Sequence, residues 1–276
     1  MVNTPLHHAI ITSKIFITKT FTAQRPDRNS FGRDSQRIEH EKRGHLLMKL
    51  PDYWLKRPSM TSDESAKTAF TELLMAALSA DGCTTIEVPP PWPKWQFLCH
   101  IADNYDIAFH GSGNPDIAIF EPRKADDLLS AFGNQKAVYA ASDGIWPIFY
   151  AIVDRDKFAM SINNACIQLE DAQGTLHEPH YVFSVDQSFL ARQPWRTGVV
   201  YLLPRTTFTP QTPTQLGATT VHIAQLASLE PVRPLAKLTV TPGDFPFLAQ
   251  IRGHDDSRFQ DYAAALQTGA PWPKDV

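Results

Sequence analysis

The sequence holds 22 prolines against 13 glycines in 276 residues. Proline fixes φ, has no N–H to give to a helix or a sheet ladder, and ends or bends the element it enters. A chain so interrupted is steered towards many short strands joined by stiff turns and away from a helix bundle. Hydrophobic residues make up 43% of it and charged residues 20%, enough apolar material for one large core or two small ones. No apolar run reaches the roughly 18 residues that a membrane-spanning helix needs. The net charge of −3 provides no global field to recruit nucleic acid or an anionic membrane surface. Three cysteines, Cys83, Cys99 and Cys166, form no CxxC pair, and an odd set of this kind predicts reduced thiols and a cytoplasmic setting.

Residues 1–47 differ from the rest. HAIITSKIFITKTF alternates weakly, and the polar, charged stretch that follows has no face for a core, so 1–47 reads as a disordered or spurious extension ahead of Met48. The charge order of a secretory signal is missing, and the acids Asp27, Asp34, Glu39 and Glu41 do not suit a mitochondrial leader. A single domain is expected over 61–276. Thr61 and Glu64 have capping-box spacing, and Ala66, Phe70, Leu73, Leu74, Ala77 and Leu78 then recur as one helical face. A strand over Thr84–Val88 is stopped by Pro89, Pro90 and Pro91, and a second helix starts at Pro93 and runs to Asn104. Trp92 and Trp95 bracket that helix start, which suits packing of helix on sheet better than a ligand-stacking surface. Further strands are expected at Ile167–Glu170, His180–Val185, Gly198–Leu203, Thr219–Ile223 and Ala236–Val240, with a last helix over Arg258–Leu266. Strands mostly follow the early helices, the order of an α+β fold.

The central stretch from Tyr105 to Tyr150 carries the chemistry. A short strand, Ile107–Phe109, delivers His110, Gly111 and Ser112 into a turn, and a second strand, Lys136–Ala141, leads Tyr139 towards an aromatic helix. Gly111 lets a ligand approach the main chain closely, because it has no Cβ. A tyrosine on the neighbouring strand can stack on a flat ring for about 0.5–1.5 kcal/mol. Taken singly, a strand-end histidine is more often a satisfied structural group, and Tyr139 could simply be a core residue.

Together these residues resemble the ADP-ribosyltransferases of the poly(ADP-ribose) polymerase type. His110-Gly111-Ser112 is similar to the family's HGS motif. Phe132-Gly133 and then Lys136-Ala137-Val138-Tyr139-Ala140-Ala141 are similar to its FGKG(I/V)YFA segment. Tyr139 and Tyr150 are spaced as the family's paired tyrosines are. The resemblance implies an α+β fold with a split mixed or antiparallel sheet and flanking helices, and NAD bound as substrate. In that scheme His110 meets a ribose hydroxyl, the Gly111 main chain and Ser112 line the nicotinamide and ribose pocket, and Tyr139 and Tyr150 flank the ring. The family's catalytic glutamate opens a late strand, and Glu230, ahead of the strand Ala236–Val240, is the best-placed candidate to complete a His110–Tyr139–Glu230 triad. The implied partners are NAD and a macromolecular acceptor, protein or nucleic acid, with no membrane involved. An NAD glycohydrolase, or a silent domain that binds NAD or ADP-ribose, fits the same residues. Pro147 predicts that the helix carrying Tyr150 kinks or starts there. Pro231 restricts the segment after Glu230 to a sheet edge or a strand start.

Other groups carry less. His177 and His180 flank Pro179, which spoils a shared helical face for a metal, and no metal site is expected. Arg205, Arg233 and Arg252 are candidates for a pyrophosphate, since arginine suits bidentate phosphate contacts. Glu178 is the reserve carboxylate. Ser112 has no GxSxG elbow, Cys99 lies on a packing face, and Asp255-Asp256 reads as a solvated loop.

Overall fold

The computed structural model describes residues 50–124 and 131–273, so the extension over 1–47 lies outside the described residues. In chain order the elements are β1 (Leu55–Lys56), α1 (Glu64–Ser79), β2 (Thr84–Thr85), α2 (Lys94–Asn104), β3 (Ile107–Ser112), β4 (Arg123–Lys124) and β5 (Lys136–Ala141). Next come α3 (Trp146–Ile152), β6 (Ile162–Glu170), β7 (His180–Asp186), α4 (Gln187–Leu190) and β8 (Gly198–Pro204). The chain closes with β9 (Thr209–Pro210), β10 (Thr214–Leu216), β11 (Thr219–Ile223), β12 (Gln225–Ser228), β13 (Ala236–Val240), β14 (Arg252–His254) and α5 (Phe259–Thr268). The architecture is mixed α+β, mostly sheet with few helices. Among the described residues, no helix is long and apolar enough to cross a membrane.

The strands form two sheets. The first has the order β2-β13-β8-β3-β5-β12-β9, with β4 also on β5; the second has the order β1-β7-β6-β11-β10, with β14 also on β7. Among the described residues, only the β2–β13 and β7–β14 pairs are parallel. A single residue joins the sheets. Ile223 pairs with Ile167 in the second sheet and Gln225 with Ala141 in the first, while Ala224 between them donates its N–H to Cys166 O and accepts from Ser142 N.

The main core fills the space between the sheets. Phe109, Val200, Leu202 and Leu238 from the first sheet meet Ile162, Cys166, Tyr181 and Phe183 from the second, with α3 between them. Every α3 residue except Tyr150 is buried, and the Phe149 ring lies 4.9 Å from Phe183 and 6.0 Å from Phe245. Helices α1 and α2 cover the same core, with Phe70 meeting Trp92 and Phe97 edge-on at 5.7 Å each. The Trp92 contact is thus packing. A smaller core backs the second sheet, where Ala165, Ile167 and Leu169 alternate outwards to meet Tyr53, Trp54 and Leu266.

Three expectations need correction. Helix α1 is capped by Asp63, which accepts from Ser65 N at 2.9 Å. Thr61 instead accepts from Asp63 N in a turn ahead of the helix, so Glu64 opens the helix and never reaches back as in a capping box. Packing also begins before Thr61: Leu55 and Lys56 pair with Tyr181 and His180, and the Tyr53 hydroxyl donates to Ala265 O at 2.8 Å. Most consequential, His110, Gly111 and Ser112 do not form a turn. They continue β3, opposite Tyr201, Val200 and Val199 of β8, because an unbroken apolar partner strand extends the ladder past Phe109. The turn starts at Gly113.

Candidate functional site

Strand β3 pairs with β8 along its whole length but with β5 only at Phe109↔Ala141. Beyond that pair the two strands part. The His110 side chain bridges the opening, its Nδ1 donating to the Tyr139 carbonyl at 2.7 Å. A carbonyl can only accept, so the proton is on Nδ1 and Nε2 is left as an acceptor. Burial lowers the imidazole pKa, which keeps the ring neutral at neutral pH. Phe120 holds its flat side, with ring centroids 4.7 Å apart.

Gly111 sits directly beneath α3. A Cβ there would lie 1.8 Å from Pro147 O and 2.9 Å from Ala151 N, so only glycine admits the helix backbone this close. Pro147 falls in the first turn of α3, where a missing N–H leaves no bond unmade. The helix therefore starts there and is not kinked. Its first turn is capped by Asp143, which accepts from Ile145 N at 2.9 Å and Trp146 N at 2.8 Å, and from the Tyr181 hydroxyl at 2.6 Å. Burial nevertheless raises the Asp143 pKa above the usual carboxylate range. Trp146 Nε1 donates to Asn164 Oδ1 at 2.6 Å, which fixes the helix onto β6. Tyr150 is the half-buried residue of this helix, against Trp146 and Phe149.

Strand alternation decides which side chains share a face. Phe109 and Ala141 lie opposite each other, so Gly111 and Tyr139, each two residues away, are on the same face, the one that α3 covers. Tyr139 is only 6% exposed and packs with Ala137, Ala227 and Phe132. Its hydroxyl donates to the carbonyls of Phe132 (2.9 Å) and Gln135 (3.1 Å), tying the Phe132-Gly133 turn to the strand. His110 leaves on the opposite face, among Phe120 and Tyr201. The Tyr201 hydroxyl donates to Asn114 O and accepts from Ile117 N, which anchors the loop after Ser112.

Glu230 does not open a strand. It follows β12, whose last residue, Ser228, pairs with Val138 beside Tyr139. Strand β13 lies far across the sheet, beyond β5, β3 and β8. Ser228 Oγ accepts from Glu230 N at 3.2 Å and turns the chain outwards. Two residues on, Val232 exchanges two backbone hydrogen bonds with Phe120, the ring neighbour of His110. The Glu230 segment thus runs between Tyr139 and the His110 face, and the Glu230 side chain is exposed.

The remaining candidates disperse. His177 meets Asp171 at 3.1 Å and His180 bonds Glu178 O, and among the described residues no group of histidines, cysteines and acids could hold a metal ion. Glu178 is paired with Arg57 at 3.0 Å. Arg205 lies at the Ile107 end of β3, the far end of that strand from Ser112, and Arg252 faces Trp272 on the second sheet. Cys99 is fully buried, and burial pushes its thiol pKa well up. Asp255 is a local cap, accepting from Ser257 N at 2.8 Å. Sequence reasoning passed over Arg196, which lies against Gly113 at the end of β3, and Arg155, just past α3. The charged run at 154–157 reads only as a chain stop, and Arg196 belongs to no periodic pattern. Comparisons with protein-family models, with curated proteins and with solved structures found no match.

Proposed function

We propose that this protein is an ADP-ribosyltransferase that uses NAD, on a split sheet of the ADP-ribosyltransferase kind in a cytoplasmic setting. One observation carries the reading: β3 parts from β5 beyond Phe109↔Ala141, leaving Gly111, Tyr139 and Tyr150 on the α3 side of the opening and His110 across it. In this reading the nicotinamide ring lies against Tyr139 and Tyr150, and a ribose hydroxyl donates to the Nε2 acceptor of His110. In the reaction the bond from ribose C1′ to the pyridinium nitrogen breaks. Its electron pair stays on that nitrogen, and nicotinamide leaves neutral. Positive charge develops on the ribose, as in glycoside hydrolysis. Glu230, accepting a hydrogen bond from the 2′-hydroxyl, stabilises that charge more than it stabilises bound NAD. The acceptor, a protein or nucleic-acid group, then bonds to C1′ and loses its proton to solvent.

The exposure of Glu230 favours water as a competing acceptor, which would make the protein an NAD glycohydrolase. Purified protein should release nicotinamide from NAD. Glu230→Gln should cut turnover by about 10²–10³-fold, the usual effect of removing one group that stabilises transition-state charge, while NAD binding persists. Survival of turnover within a few-fold removes Glu230 from the mechanism. Binding without any nicotinamide release in the wild type points to the silent-binder reading. Label from adenylate-labelled NAD found on a macromolecule indicates transfer, and label found only in free ADP-ribose indicates hydrolysis.

A further inference from the structure

The proposed reaction gives no role to a half-buried cation next to α3. Arg155 stands just past α3, and its Nε is sealed from solvent with no hydrogen-bond partner. Its guanidinium makes no hydrogen bond or ion pair with any described residue, although the residue is half-buried. A cation withdrawn from water without a partner is costly unless something absent completes it. Burial pulls its pKa down; Tyr150 and Asp156 favour its charged form, and Arg196 opposes it.

The acids nearby are committed elsewhere. Asp154 lies 3.6 Å from Arg196 Nη1, and Asp156 pairs with that same nitrogen. Arg196 Nε reaches Ala151 O at 3.4 Å, and its guanidinium lies flat over Gly113, where a Cβ would come within 1.9 Å of Cζ. Arg155 is close enough to interact with both Tyr150 and Arg196. Arg196 thus lies beside the Ser112-Gly113 turn, and Arg155, just past α3, is within electrostatic reach of it.

We propose that Arg155, supported by Arg196, binds a phosphate group beside the C-terminal end of α3. This rests on NAD being the substrate, since the dinucleotide carries its diphosphate out from the ribose that His110 meets. Free phosphate or pyrophosphate shares the chemistry, and the experiment separates the two sources.

Calorimetric titration of the full chain with NAD, ADP-ribose, nicotinamide riboside and inorganic pyrophosphate tests the assignment, in the wild type and in Arg155→Met and Arg155→Lys. The site predicts that Arg155→Met weakens NAD and ADP-ribose by roughly tenfold or more, as expected for loss of a charged hydrogen bond. Arg155→Lys should recover part of that loss, and nicotinamide riboside, which has no phosphate, should bind all variants alike. Equal NAD affinity in wild type and Arg155→Met overturns the assignment, and so does an equal loss for the riboside, which would mark general damage. Wild-type binding of pyrophosphate but not NAD, lost in Arg155→Met, keeps the phosphate site and rejects the NAD reading. Binding of none of the four ligands by the wild type rejects both.

Discussion

Gly111→Ala is the substitution whose outcome the geometry constrains most. The added methyl would lie 1.8 Å from Pro147 O, against the roughly 3.5 Å of an ordinary contact. Relief requires α3 and β3 to separate by more than an ångström. The helix has little room to retreat, because Phe149 is already packed on Phe183 and Phe245 at its other side. Overpacking of a filled core costs about 1–3 kcal/mol, and a clash with backbone belongs at the upper end. Alanine also stiffens the unfolded chain, which offsets about 0.4–1 kcal/mol. The net loss is about 2 kcal/mol, a fall in Tm of roughly 4–8 °C for a domain of this size. Gly113→Ala is the control: its methyl meets the Arg196 guanidinium at 1.9 Å, the end of a flexible side chain whose partly exposed ion pairs are worth about 1 kcal/mol or less. Urea unfolding followed by far-UV circular dichroism measures both. If Gly111→Ala stays within 1 kcal/mol of wild type, or Gly113→Ala costs more, then α3 is not held against β3 as described.

Two further predictions concern buried titratable groups. Asp143 has a raised pKa in the fold, so the native state binds more protons than the unfolded chain between the ordinary value of 3.8 and the raised one. Stability should therefore fall as pH rises through that window, and Asp143→Asn should flatten the slope in urea titrations run at a series of pH values; an unchanged slope would assign the effect to another group. His110 is shifted the other way, its pKa lowered by burial, so the stability from its neutral, Tyr139-bound form is present above its ordinary 6.5 and lost as pH falls towards the folded value. Ligand binding that needs Nε2 as an acceptor should weaken over the same range. Histidine C–H shifts followed by NMR would refute this if the His110 ring titrates above 6.5.

Much of the fold was legible because periodicity and proline placement act locally. Helix α2, the strands at 136–141, 198–204 and 236–240, and the stop at Pro204 all follow from apolar runs bounded by breakers. What stayed hidden depends on partners distant in sequence. Nothing local marks Gln225–Ser228 as a strand; it is one because Ala224 turns the chain from β6 to β5. Nothing in His110-Gly111-Ser112 says strand and not turn, because the ladder that extends it is supplied by β8, some 90 residues later. Pro147 was ambiguous between kink and start, and Asp143, four residues earlier, resolves it by capping the first turn. The two strands and the helix of the central stretch were readable as elements. Arg155 was not readable, since its lack of a partner is a property of packing alone.

The parity of β3 sharpens what the site can accept. Gly111 and Tyr139 belong to the α3 face, and His110, Phe120 and Val232 to the other. In an intact sheet, no small ligand could touch both groups, because two hydrogen-bonded strands leave no passage between them. Here the β3–β5 ladder stops after one pair, and His110 replaces the next with a side-chain bond to Tyr139 O. A ligand that contacts Tyr139 on one side and reaches Glu230 on the other must pass through that opening, edge-on beside the imidazole. The parting of the strands therefore matters more to the proposed chemistry than any single residue beside it.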